Sequence, residues 1–336
     1  MKNGIYICGI IKTSSPQEFG KIGIGDTEAS DVQTIGWKDI AAVVCDSPLT
    51  VYDSLTKDKV VKDLATHQFI IEKVMERFTI VPVKFGTMVE TAEEVMQFLE
   101  NGYALLSHEL EKIAGKIELD VVAWWDLPKM LAALSRRNSQ IQETQQKLAR
   151  KSGPVSIEEK VVLGQLIEQA LETEKTRYQE LILHTLERDV LDICSHQLAD
   201  NEMIFNAAFL LEKREEEAFH ALVHSLDQQL ESTVNFRVVG PLPPYSFSTV
   251  LLEKVDPASV EEAKKTLGLT GDITDKALRN AYHQLAQQHH PDKNHGGDYQ
   301  KFQQLHSAYK TLKGFIENGL MHTKVYQWQK EVPEES

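Results

Sequence analysis

One proline fixes how the last quarter of this chain has to turn. Pro291 stands in Gln288-His289-His290-Pro291-Asp292-Lys293-Asn294. It has no N–H, and it drives the residue before it out of the helical region, so a helix arriving from the N-terminal side must stop near His290. Before it Leu278, Tyr282, Leu285 and His289 recur at helical spacing, and after it Phe302, Leu305, Tyr309, Leu312 and Ile316 do the same. Two apolar stripes joined by a short polar loop predict a helical hairpin with His290, Pro291 and Asp292 on its exposed tip. Thr274 is the predicted N-cap of the first helix, and Gly296-Gly297-Asp298 punctuates the start of the second.

These residues resemble a J domain, the module by which co-chaperones stimulate a DnaK-type ATP-driven chaperone. The resemblance runs from about Val255 to Gly319 and takes in a short leading helix with Val260, Ala263 and Leu267, the Leu267-Gly268-Leu269 connection, Ala281-Tyr282 and Ala308-Tyr309. It implies a partner-binding set of His290, Pro291 and Asp292, flanked by Lys276, Arg279 and Lys293. Asp292 would accept a charge-assisted hydrogen bond from an arginine of the chaperone. Charge departs from the family pattern. Where J domains carry a basic stripe on the helix before His-Pro-Asp, this helix has Lys276 and Arg279 only, with Asn280, His283, Gln284 and Gln288 in place of further cations. From Asp256 to Glu317 eight Lys and Arg face eight Asp and Glu, so electrostatic steering toward an acidic groove is weak.

Length and charge bound the rest. At 336 residues there is room for two or three domains, and the net charge of −14 resides mostly ahead of the neutral C-terminal module, which argues against a nucleic-acid binder. Cys8, Cys45 and Cys194 are scattered and odd in number, as expected of buried thiols in a reducing compartment. No apolar run reaches membrane-spanning length, so the expectation is a cytoplasmic chain with no membrane partner.

Taken in order, Gly4 to Ile11 and Ile40 to Cys45 read as buried strands. The glycines from Gly20 to Gly25 lack a following helix, fail the context of a dinucleotide loop and read as turns. Lys57 to Phe78 is a helix with His67 inside its apolar stripe, where a packed histidine is expected rather than a ligand. Thr79 to Thr87 is a strand whose Pro82 places it at an edge or bulge. Thr91-Ala92-Glu93-Glu94 opens a helix, and Leu119 to Trp125 is a strand. Leu127 to Arg150 is a polar helix. Ser156-Ile157-Glu158-Glu159 opens another, expected to run to about His196 with Val190 and Ile193 on its inner face. Met203 to Leu211, Arg214 to Leu230 and Asn235 to Val239 read as strand, helix and strand. Gly240-Pro241-Leu242-Pro243-Pro244-Tyr245-Ser246-Phe247 follows as a rigid extended segment.

That segment is similar to the GPxPPYxF motif of gas vesicle proteins of the F/L family. Val81-Pro82-Val83-Lys84-Phe85-Gly86-Thr87 resembles the same family's LPvRFGT stretch, and Gly4-Ile5-Tyr6 with Trp37 to Val44 fits its opening. Three positions depart, with Val81 for Leu, Lys84 for Arg and Leu242 for Trp. The family-motif residues are Pro82, Phe85, Gly86, Gly240, Pro241, Pro243, Pro244, Tyr245 and Phe247. The resemblance implies an accessory protein that binds the hydrophobic shell subunit and other accessory proteins of gas vesicles, located in the cytoplasm or on the vesicle. With the J module it implies a dedicated assembly co-chaperone, the alternative being a minor scaffold component with a degenerate J module. No catalytic constellation, cofactor or metal site is expected. His283, His289, His290 and His295 are the only candidate metal cluster, and they sit in helix and loop positions of the J-like module.

The expected fold class is α+β, with small sheets and helices of ferredoxin-like type followed by the all-α hairpin module. The expected domains are residues 1–125, 126–255, 256–319 and a tail at 320–336.

Overall fold

The computed structural model describes residues 3–24, 30–49, 56–230, 233–254, 256–271, 273–289, 299–318 and 321–327. The chain divides into two compact units, Met1–Ala114 with Ser248–Tyr326, and Gly115–Phe247.

The first unit is built on β1 (Asn3–Lys12), whose burial is almost unbroken along its length. It lies inside a six-stranded sheet with β2 (Glu18–Lys21), β3 (Asp31–Trp37), β4 (Ile40–Pro48) and β5 (Ile80–Pro82) in the order β2-β3-β4-β1-β5, and β6 (Met88–Val89) also pairs with β1. Helices α1 (Lys57–Met75) and α2 (Ala92–Lys112) both pack on this sheet. A run of Ile-Tyr-Ile-Cys-Gly-Ile-Ile suits a strand covered on both faces. A register shift between Ile7 and Gly9 puts Ile7 and Ile10 in one cluster with Phe98, Leu99 and Leu106 of α2. Thr91 caps α2 by accepting from the Glu94 amide, as the sequence predicted, while the Glu94 carboxylate accepts from the Glu90 amide.

The second unit runs β7 (Lys116–Trp125), α3 (Leu127–Arg137), α4 (Ser139–Ala149), α5 (Ile157–Leu186), β8 (Asp192–Ser195), β9 (Met203–Glu212), α6 (Glu216–Leu230) and β10 (Val234–Leu242). The strands form an antiparallel sheet in the order β10-β7-β9-β8, the split β-α-β arrangement of a ferredoxin-like fold.

Four expectations need correction. β7 belongs to this sheet, so it does not close a first domain at residue 125. Asn138 ends one helix and caps the next with its side chain, dividing the predicted single helix in two. α5 stops at Leu186, and a positive φ of 60° at Asp189 redirects the chain, so Ile193 lies in a strand rather than on a helix face. Residues 321–326, assigned to a tail, form strand β12 (Met321–Tyr326).

That last strand changes how the C-terminal module is held. β11 (Thr249–Lys254) and β12 pair antiparallel over six positions. Between them in sequence lie α7 (Pro257–Leu267), α8 (Asp275–His289) and α9 (Tyr299–Asn318). Leu252 and Val325 pack on the core of the first unit, so the helices depart from and return to it through one hairpin. Asp256 caps α7 directly after β11, and Gly268 ends it in the left-handed conformation at φ 65°.

Candidate functional site

Three segments carry the residues that the sequence singled out. In the first, Pro82 closes β5 opposite Gly9, and Val83 and Lys84 then donate to Cys8 O and Val250 O at 3.0 and 2.8 Å. Gly86 turns the chain with φ 84°, which favours glycine. Its amide donates to Tyr6 OH at 3.0 Å, and that hydroxyl lies 3.0 Å from His67 Nδ1. Burial pushes His67 down to about 4, so near neutral pH the imidazole beside this hydroxyl is uncharged. Phe85 stands edge-on to both rings. His67 is therefore a packed anchor, as its place in an apolar stripe predicted.

The second segment continues β10 through a cis Gly240-Pro241 bond. Gly240 has φ 142°, and a Cβ there would meet Leu119 Cδ2 at 2.6 Å and Glu118 O at 2.9 Å, so no other residue fits without a shift. Pro243 and Pro244 are buried, and Tyr245 and Phe247 donate their amides to the carbonyls of Pro243 and Pro244. Phe247 packs on Cys194, Ala208 and Leu210, the sheet face that also carries Glu118 and Asp120. Glu118 holds the turn. Its two carboxyl oxygens accept from Ser246 N at 2.8 Å and Ser246 Oγ at 2.9 Å, and Ser246 Oγ is also 3.3 Å from His196 Nε2. Burial first, and the charge of Asp120 second, push Glu118 up to about 8. Burial raises Asp120 as well and lowers His196.

Sequence reasoning did not find Glu118. Ile117-Glu118-Leu119-Asp120-Val121 alternates like a strand with one solvated face, and the turn that covers that face lies more than a hundred residues later.

The third segment is the helical hairpin. α7, α8 and α9 enclose an aliphatic core of Val260, Leu267, Leu278, Leu305 and Leu312. Tyr282 stacks on Tyr309 with centroids 4.5 Å apart, and its hydroxyl lies 3.2 Å from His306 Nδ1. The predicted Thr274 cap accepts from the Ala277 amide. Lys276 and Arg279 are both exposed on α8, but Arg279 is engaged by Asp275 at 2.8 Å. His290, Pro291, Asp292 and Lys293 lie outside the described residues, as does His295. Among the described residues no group of three or more His, Cys, Asp or Glu is placed to hold a metal, and no helix is long and apolar enough to cross a membrane.

The model of the gas vesicle synthesis protein GvpL/GvpF family matches residues 4–249, and the DnaJ domain model matches residues 265–314. Gas vesicle protein F of Nostoc sp. is 25% identical over 256 residues, which is 74% of this chain and 100% of that protein. Its counterpart from Streptomyces sp. is 26% identical over 243 residues, covering 72% and 98%. The crystal structure of GvpF from Anabaena sp. PCC7120 superposes with a TM-score of 0.61 at 23% identity, over 73% of this chain and 97% of that one.

Proposed function

The chain belongs to the gas vesicle synthesis protein GvpL/GvpF family and carries a DnaJ domain, and from that premise we propose that it is an assembly co-chaperone dedicated to gas vesicles. Residues 1–255 would bind shell or accessory proteins of the vesicle, and the J module would recruit a DnaK-type chaperone to them. The chain itself is not an enzyme in this reading: it acts by binding in the cytoplasm, and ATP hydrolysis belongs to the partner. The observation that carries the proposal is the covalent and structural tie between the two parts. A J module entered and left through a strand hairpin that packs on the core of the first unit would keep a recruited chaperone close to whatever that unit holds.

The test is single-turnover ATP hydrolysis by the host's DnaK-type chaperone with the full chain and with Asp292→Asn. Stimulation present in the wild type and lost in the variant is expected. A folded wild type that stimulates no host chaperone overturns the proposal.

One observation favours a second reading, a scaffold component with a degenerate J module. Arg279, one of only two cations on α8, is paired with Asp275, and the module as a whole is neutral. Stable retention of the chain in purified vesicles, with no stimulation of the chaperone, is the outcome this reading requires.

A further inference from the structure

A cavity of about 300 Å³ opens in the second unit between α5 and the residues that leave β8 and enter β9, with His196, the neighbour of Ser246, in its wall. Its apolar walls include Leu183, Leu198 and Phe205. Its polar side chains have a common bias. Gln179 Nε2 donates to Ile204 O at 2.9 Å, and Asn206 Nδ2 donates to Gln197 O at 2.9 Å. Thr176 Oγ1 donates to Glu172 O at 3.0 Å. Each of these groups thus commits a donor to the backbone. Among the described residues neither Gln179 Oε1 nor Asn206 Oδ1 accepts a hydrogen bond, which leaves the cavity rich in acceptors.

Charge points the same way. Glu180 lines the cavity, and none of its lining residues is a lysine or arginine. His196, also in the wall, is lowered by burial against the opposing charge of Asp120, so near neutral pH it does not repel a cation. An acceptor-rich, anionic mouth over an apolar wall fits a group with several N–H donors, a positive charge and a hydrocarbon stem.

We infer that this cavity receives an arginine side chain of a partner protein, its guanidinium set among Glu180, Gln179 and Asn206 and its methylenes against Leu183 and Phe205. The inference does not depend on the J module: the cavity would serve a client or a fellow accessory protein whether or not a chaperone is recruited.

The test is a titration of the full chain, followed by backbone amide NMR, with N-acetyl-arginine-N-methylamide as the probe and its citrulline counterpart as a neutral isostere. The expected result is saturable shifts confined to the amides around Thr176, Leu183 and Asn206. Citrulline should bind on the order of tenfold more weakly, and Glu180→Gln should cost arginine binding roughly three- to tenfold, the size of one partly exposed charge-assisted contact. Glu180 is exposed on α5, so this variant keeps the fold, and its amide spectrum verifies that. Leu183→Ser, which shortens the apolar wall, should weaken both probes alike. Shifts that do not saturate, equal binding of arginine and citrulline, or indifference to Glu180→Gln would each overturn the inference. Tighter binding of free arginine than of the capped residue would overturn the assignment to a protein partner. None of these results bears on the chaperone assay.

Discussion

The two units fasten their family motifs with the same device and opposite chemistry. In the first, Gly86 is held by Tyr6, which leans on a buried neutral imidazole, His67. In the second, Ser246 is held by a buried carboxyl, Glu118, through both of its hydrogen-bonding groups. Each anchor lies far away in sequence from the segment it fixes and on a regular element, so an irregular loop inherits the rigidity of a helix or strand. The difference lies in which protonation state the fold demands. Burial disfavours charge in both cases, so it strips a proton from His67 and forces one onto Glu118. Among its described residues the J module shows no buried counterpart: its buried core is aliphatic, and its Tyr282–His306 contact is exposed. The body needs its motifs at fixed positions. The J module, by the family resemblance, needs only a helical frame on which to present a loop.

The sharpest way to break this comparison is to remove the acidic anchor. Glu118→Ala takes the acceptor from the buried Ser246 amide and leaves Ser246 Oγ with only His196 Nε2 at 3.3 Å, so with an unpaired buried donor worth about 1–3 kcal/mol a loss on the order of 3 kcal/mol is expected in the second unit. Glu118→Gln is neutral and nearly isosteric with the protonated carboxyl, and at pH 7 it should cost about 1 kcal/mol or less. Amide hydrogen exchange at Ser246, compared with that at Gly86, measures both. If Gln proves as damaging as Ala at neutral pH, the carboxyl is ionised and the contrast with His67 fails.

How much of this was legible in sequence follows the range of each signal. Local punctuation carried well: the caps at Thr91, Ser156 and Thr274 and the apolar stripes of α1 and α9 all depend on neighbours within a turn or two. The motif segments were recognisable because several unusual residues lie close together. Three kinds of information were not local. Which sheet receives β7 is decided by β9 and β10, about a hundred residues downstream, so a domain boundary at 125 looked natural. The end of α5 depends on a left-handed turn at Asp189 that no glycine announces. Glu118 and Tyr6 act through partners that meet only in the folded chain, and an acidic residue in an alternating strand ordinarily faces water.

The opposite protonation demands give opposite pH dependences. Between about pH 4 and the ordinary histidine value of 6.5, unfolded His67 takes up a proton that the folded state refuses, so the stability of the first unit rises with pH. Between the ordinary 4.5 and about 8, folded Glu118 keeps a proton that the unfolded chain releases, so the stability of the second unit falls with pH. Asp120, raised by burial, adds to that fall, while His196, lowered, opposes it only below 6.5. The cleanest window is therefore pH 6.5 to 8. There the second unit should lose stability with a slope of at most about 1.4 kcal/mol per pH unit, after the histidine gain of the first unit is complete. Exchange free energies at Ser246 across this window, with and without Glu118→Gln, check the sign. Slopes of the same sign at Gly86 below 6.5 and at Ser246 above it would remove the comparison.

The smallest expected effect separates the hydrogen bond from the burial that sets the charge. Tyr6→Phe deletes one hydroxyl, leaves the Gly86 amide and His67 Nδ1 without that partner, and should cost about 1–2 kcal/mol of protection at Gly86. Because burial, rather than the tyrosine, keeps His67 neutral, the rise of stability between pH 4 and 6.5 should survive in this variant with its slope unchanged. His67→Phe should do the reverse: it abolishes the slope, and it keeps the Gly86 contact if Tyr6 OH stays in place. The two variants thus divide the anchor into a part that positions the loop and a part that responds to acid. If Tyr6→Phe flattens the slope as well, the hydroxyl and the imidazole act as one unit. The first anchor would then resemble the Glu118 clamp, in which hydrogen bonding and charge state reside on a single group.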